Sequence, residues 1–223
     1  MSFLLDKLVK DVEDRESVLF EIEKVLFTRR YNLSLKHQSI FTVQSISMIY
    51  SLWEGFIQNA FNLYIDQLNQ LEIDHNCIRN ELLVYSLETN FKQFFSYPDN
   101  QKKKVQFYNN LKHFFSFDKI KFRRGISTES NVGFNILNKI LSSFCLETFP
   151  EHWNIYKHPQ PNLKEMLMTF LRYRNGIAHG GDISSEEKVS HETFIKYKRL
   201  IIDLMYEVIF RINKGLEQRT YLK

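Results

Sequence analysis

Between residues 35 and 70 apolar side chains recur at helical spacing: Ile40, Val43, Ile46, Ile49, Trp53, Phe56, Ile57, Ala60, Phe61, Tyr64, Ile65 and Leu68. No proline interrupts the run. Intervals of three and four place such residues on one side of a helix, whereas a strand would need alternation. The apolar surface is wide, so this long helix is predicted to be central, with neighbours on more than one side. Asn32 and Ser34 offer a break and an N-cap before it.

Turn-forming residues are scarce. The 223 residues include 7 glycines and 4 prolines, roughly 3% and 2% where about 7% and 5% is usual. Sandwiches, propellers and many-stranded barrels lean on both residues for their turns. Hydrophobic residues are 43% of the chain, with 20 Phe and 11 Tyr, so disorder is excluded and a core is expected. Helical periodicity returns at 3–30, at 76–96 up to Pro98, at 101–115 and at 133–147. It returns again from Asn162, a predicted N-cap with Glu165 three residues on, to Gly180 and Gly181, and finally at about 191–214. Residues 116–131 have no helical period and read as a loop or a short hairpin. The expectation is all-α: one domain over 1–223, a helical bundle of about seven helices with a basic, aromatic insertion at 98–131.

Charge and cysteines narrow the setting. A formal charge of +4 is compatible with a polyanionic partner. Two cysteines, Cys77 and Cys145, exclude a cysteine-built zinc site and argue for a reducing compartment. The apolar run after Met1 is too short for a signal peptide, and no 18-residue apolar run suggests a membrane span. A cytoplasmic protein without membrane contact is expected.

The segment Arg172-Tyr173-Arg174-Asn175-Gly176-Ile177-Ala178-His179-Gly180-Gly181 carries the most chemistry. It lies where an amphipathic helix ends. Asn175 and His179 are four apart and share a helix face. Arg174 and His179 are five apart, about 140° around the axis. They can meet in one cleft if the helix unwinds near Gly176, or if a second surface shares the cleft. Histidine moves protons near neutrality, and arginine grips a phosphate with a planar fork of donors. Acids are scattered, without the compact carboxylate cluster of a two-metal nuclease. The simplest chemistry then needs neither metal nor cofactor: the 2′-hydroxyl of RNA attacks the adjacent phosphate, His179 moves protons and Arg174 stabilises the phosphorane. On composition and spacing alone, the simpler reading is a pair of cations set against a helix C-terminus with a glycine cap.

Arg174-Asn175-Gly176-Ile177-Ala178-His179-Gly180 resembles the signature of the HEPN superfamily: an Arg, four to six residues, then His, with a polar residue after the Arg. Tyr50-Ser51-Leu52-Trp53-Glu54-Gly55-Phe56-Ile57, with Ala60, Tyr64 and Ile65, resembles the long helix of a prokaryotic branch found in restriction, toxin–antitoxin and defence loci. The order also matches, with the Arg–His motif on the penultimate helix. The resemblance implies a HEPN-like bundle and a metal-independent endoribonuclease acting as a toxin or defence effector. Arg174 and His179 match the catalytic pair, Asn175 the supporting polar residue, and Glu54 an acid on the long helix. It also implies a homodimer with a composite active site and a possible antitoxin or activating partner. A non-catalytic HEPN module that binds a nucleotide or a protein is the alternative.

His191, at the start of the last helix, and Arg172 are candidates to support the site. RNA contact is expected from the basic stretch at 101–124, through Lys102, Lys103, Lys104, Lys121, Arg123 and Arg124. Phe107, Tyr108, Phe114, Phe115, Phe117 and Phe122 are interleaved there. Such a mixture attracts phosphates and stacks on bases, although the aromatic spacing equally suits a core.

Overall fold

The computed structural model describes residues 2–153, 162–178 and 189–223. Seven α-helices lie in these segments: α1 Ser2–Phe27, α2 Leu35–Gln70, α3 Asn80–Asn90, α4 Gln101–Phe115, α5 Phe134–Ser143, α6 Leu163–Ala178 and α7 His191–Glu217. Short 3₁₀ turns follow α1 and α3, at Arg29–Tyr31 and Lys92–Phe94. Among the described residues there is no strand, only isolated bridges of Asp74 with Lys119 and Ile78 with Leu222. Residues 116–131 are therefore a loop, not a hairpin.

Capping fixes where the helices begin. The Ser34 hydroxyl accepts from the His37 N–H at 3.2 Å, after Asn32 has turned the chain through the left-handed region at φ 45°. Asn162 and Glu165 cap each other: the Glu165 N–H donates to Asn162 Oδ1 at 2.9 Å, and the Asn162 N–H to Glu165 Oε2 at 3.3 Å. Ser190 and Thr193 form the same reciprocal box at the head of α7.

Two helices are shorter than their periodicity predicts. α3 occupies 80–90 rather than 76–96 because its flanks are spent elsewhere. The Arg79 N–H donates to Tyr221 O at 3.0 Å and Lys223 N–H to Cys77 O at 2.9 Å, so tertiary pairing with the C-terminal tail claims the backbone before the helix. α5 stops at Ser143 because Cys145 takes φ 57° and Leu146 N–H turns back to Leu141 O at 2.9 Å, a left-handed helix closure.

The 36-residue α2 is about 54 Å long at 1.5 Å per residue. It packs against α1, α6 and α7, and α5 packs against α3 and α6. Ile46, Ile49, Trp53, Phe56, Ile57, Phe61 and Ile65 are fully buried on it, each contributing about 1.5–3 kcal/mol by leaving water. One contiguous apolar cluster joins them to α1, α3, α5, α6 and α7. α4 reaches it through the partly buried Phe114. The placement of α6 against α2 brings the Arg174 segment onto the central helix. No helix among the described residues is long and apolar enough to cross a membrane.

Candidate functional site

The site is built on a polar stripe along α2. Tyr50, Glu54, Gln58, Asn62, Asp66 and Asn69 recur at intervals of four, then three, so they form a continuous stripe along the helix. The loop after α4 runs along this stripe and is hydrogen-bonded to each member. Asn69 exchanges two bonds with the Phe122 backbone, at 3.0 and 2.8 Å. Asp66 Oδ1 accepts from Arg124 Nε at 2.7 Å, and Asn62 Oδ1 from Gly125 N–H at 3.0 Å. Gln58 donates to the Thr128 hydroxyl at 3.3 Å, and that hydroxyl donates to Glu54 Oε1 at 2.7 Å. At the near end Val132 is buried, and side chains of α2 satisfy both its backbone groups. Tyr50 Oη accepts its N–H and Trp53 Nε1 donates to its carbonyl, each at 2.9 Å. A buried peptide group needs such partners, so these two bonds fix the loop's end.

α6 delivers the arginine to this end. Phe170 and Arg174 are four apart and meet the same ring: Phe170 lies 6.0 Å from Tyr50, centroid to centroid, and the Arg174 guanidinium sits 4.6 Å above the Tyr50 ring. The Tyr50 ring thus holds the cation by a cation–π contact. Arg174 Nη1 also donates to Asn175 Oδ1 at 2.9 Å. α6 stays helical through Ala178, so no unwinding occurs at Gly176. His179, Gly180 and Gly181 lie outside the described residues.

The electrostatics tie Tyr50, Glu54 and Arg174 together. Burial pushes the Tyr50 phenol above its ordinary pKa, the Val132 N–H pulls it back, the Glu54 carboxylate raises it and the Arg174 guanidinium lowers it. Both charges act on one buried hydroxyl, so they share one neighbourhood. A half-buried guanidinium on a platform and an oriented carboxylate can neutralise a phosphate and steer a proton donor.

The other predicted residues are placed as follows. Arg172 is exposed on α6, about 200° around the axis from Arg174, so the two do not share a face. His191 heads α7 but turns to α1: it stacks on Phe27 at 4.0 Å and lies 3.6 Å from Glu23 Oε1. Lys102 and Lys103 are exposed in the first turn of α4, and Lys104 lies 5.4 Å from the Tyr97 centroid. Lys121 and Arg123 are exposed on the loop, whereas Arg124 is paired with Asp66. Phe107 and Phe122 are core residues, whereas Tyr108, Phe115 and Phe117 are exposed. Among the described residues no three His, Cys, Asp or Glu side chains are grouped to hold a metal.

Sequence reasoning overlooked Thr128 and the role of Tyr50. The stripe of polar residues at four-residue intervals was the available signal for the α2 half. Nothing local marks Thr128, whose partner lies on a distant element.

A family model described as MAE_28990-like HEPN matches residues 4–221. No curated protein and no solved structure matches the chain.

Proposed function

Since the chain belongs to the HEPN superfamily, whose members include nucleases, RNA-binding and defence-related modules, we propose that it is a metal-independent endoribonuclease. The observation that carries the proposal is the seating of Arg174 on the Tyr50 ring beside Glu54, five residues before His179 in the sequence. A lone cation offsetting a helix dipole needs no such platform; a phosphate-binding guanidinium that must not wander does.

The chemistry is an internal transesterification. His179 takes the proton of an RNA 2′-hydroxyl, the 2′-oxygen bonds to the adjacent phosphorus and the bond to the 5′-oxygen breaks. The departing oxygen receives a proton from a second imidazole or from water, leaving a 2′,3′-cyclic phosphate and a 5′-hydroxyl. Arg174 stabilises the charge on the pentacoordinate phosphorus, and Asn175 holds the guanidinium through its amide oxygen. Residues 1–223 act as one domain, and two copies face each other so that each supplies one Arg174–His179 pair to a shared cleft. This second wall resolves the 140° separation of the pair on one helix. The biological setting is growth arrest as a toxin or defence effector in the cytoplasm, restrained by an antitoxin or awaiting an activator.

RNA digestion in EDTA tests the proposal. Wild type cuts and leaves cyclic phosphate ends, while Arg174→Ala and His179→Ala lose about 100-fold or more in rate. Equal cutting by both variants, or a requirement for Mg²⁺, refutes it.

A further inference from the structure

A cleft lies at the far end of the α2 stripe, away from Arg174. It has a volume of about 610 Å³, and its lining includes His75, Asn90, Phe117, Asp118, Lys119 and Lys121. That volume falls within the range of small-molecule sites. His75 is oriented in it by two bonds to one carbonyl: its N–H reaches Asp118 O at 3.2 Å and its Nδ1 at 3.1 Å. A carbonyl only accepts, so Nδ1 carries a hydrogen, and in a ring with one proton that leaves Nε2 as an acceptor. Nε2 is buried and has no partner. A buried ring nitrogen without a partner costs free energy unless something donates to it. Asn90 donates its amide nitrogen to Ser86 O at 2.8 Å, so its oxygen is the group it offers a ligand. Phe117 is 55% exposed and presents an aromatic surface. Lys119 is paired with Glu72. Lys121, exposed beside it, supplies positive charge at the rim.

We infer that this cleft binds one nucleotide whose base carries an exocyclic amine. The amine donates to His75 Nε2 or Asn90 Oδ1, the base stacks on Phe117, and the phosphate meets Lys121. Aromatic stacking combined with edge recognition is how single-stranded bases are held. The nucleotide belongs to the RNA strand: the loop carrying Lys121, Arg123 and Arg124 leads from the cleft along α2 to Tyr50, bound to the stripe at Asn69 and Tyr50. Those residues are about 28 Å apart on the helix axis. The free positive charge on this path, Lys121 and Arg123, lies at the cleft end, and Arg174 supplies it at the other end; a strand held at both would follow the loop between them. The strand as source rests on the ribonuclease proposal; the recognition chemistry of the cleft does not.

Fluorescence anisotropy tests the inference, with labelled adenosine and uridine oligonucleotides and the full chain carrying His179→Ala so that no strand is cut. His75→Asn keeps a donor near the Nδ1 position and removes Nε2. Phe117→Ala removes an exposed ring without opening the core. The expected result is tighter binding of the adenosine strand than the uridine strand, weakened about ten-fold by either substitution, with AMP competing only weakly. Binding of AMP as tight as that of the strand, lost in the same variants, keeps the cleft assignment and changes the source to a free nucleotide. Adenosine binding that stays within about two-fold of the parent in both variants, or equal affinity for the two strands, overturns the inference. Cutting by the wild type is scored separately: if Arg174-dependent cutting persists while the cleft variants bind normally, only the cleft fails. If nothing is cut while strands bind through the cleft, only the nuclease proposal fails.

Discussion

Tyr50→Phe separates the two tasks of one side chain. The Tyr50 hydroxyl accepts the Val132 N–H at 2.9 Å, and both residues are buried, at 1% and 0% exposure. Removing the hydroxyl leaves that N–H without a partner where water does not reach, a cost of about 1–3 kcal/mol. For a chain of this size each kcal/mol moves the midpoint by about 2–4 °C, so melting followed by circular dichroism is expected to fall by about 2–12 °C. The ring remains, and with it the platform 4.6 Å beneath Arg174. Cleavage per folded molecule, measured well below the new midpoint, therefore falls only modestly. Tyr50→Leu removes both the hydroxyl and the ring face. It costs the guanidinium a further contact of about 0.5–2 kcal/mol and lowers cleavage by roughly another order of magnitude. If Tyr50→Phe melts within about 1 °C of wild type, the loop is not held by this bond. If Tyr50→Leu cleaves like Tyr50→Phe, the ring does not position Arg174.

Thr128→Val keeps the shape of the side chain but frees Glu54 from its 2.7 Å hydroxyl donor; a loss of about 1 kcal/mol in urea unfolding is expected, with slower cleavage if Glu54 needs its present orientation. Phe144→Ala opens a hole between Phe61, Tyr64 and Tyr85, whose centroids lie 5.1, 5.8 and 4.6 Å away; about 3–5 kcal/mol of stability should be lost in the same assay. Burial raises the Tyr85 phenol to about 12 and pushes Tyr50 and Tyr64 upward as well. A folded pKa above the unfolded one means that this stability is intact below about pH 10 and is lost as pH rises from there. Phenolate absorbance should therefore show these tyrosines titrating late and together with alkaline unfolding, and early titration of the whole set would contradict their burial.

Much of the scaffold was legible because it rests on local rules. The limits of α2 follow from uninterrupted periodicity and a serine cap, and the start of α6 from the Asn162–Glu165 pair. The errors sit where a distant segment competes for the backbone. Residues 76–79 have helical pattern but are taken by the C-terminal tail, and residues 144–147 are closed off by the left-handed Cys145. The interleaved aromatics of 101–124 divide into core and surface for the same reason. Phe107 and Phe122 find neighbours, and Tyr108 and Phe117 do not find enough to be covered. Spacing along the chain cannot sort them.

By itself, the sequence determined that this protein is helical, that its longest helix is central, and that Arg174, Asn175 and His179 form its chemically distinctive segment. Each of these depends on residues within a few turns of one another, where the 3.6-residue period and side-chain chemistry suffice. Only the tertiary structure decided what Arg174 rests on, that Glu54 is held by Thr128 rather than solvated, and that His191 turns to Glu23 and Phe27. Those contacts join residues far apart in the chain. They follow from how whole helices pack around α2 and how buried polar groups then find partners, and no local pattern encodes that choice.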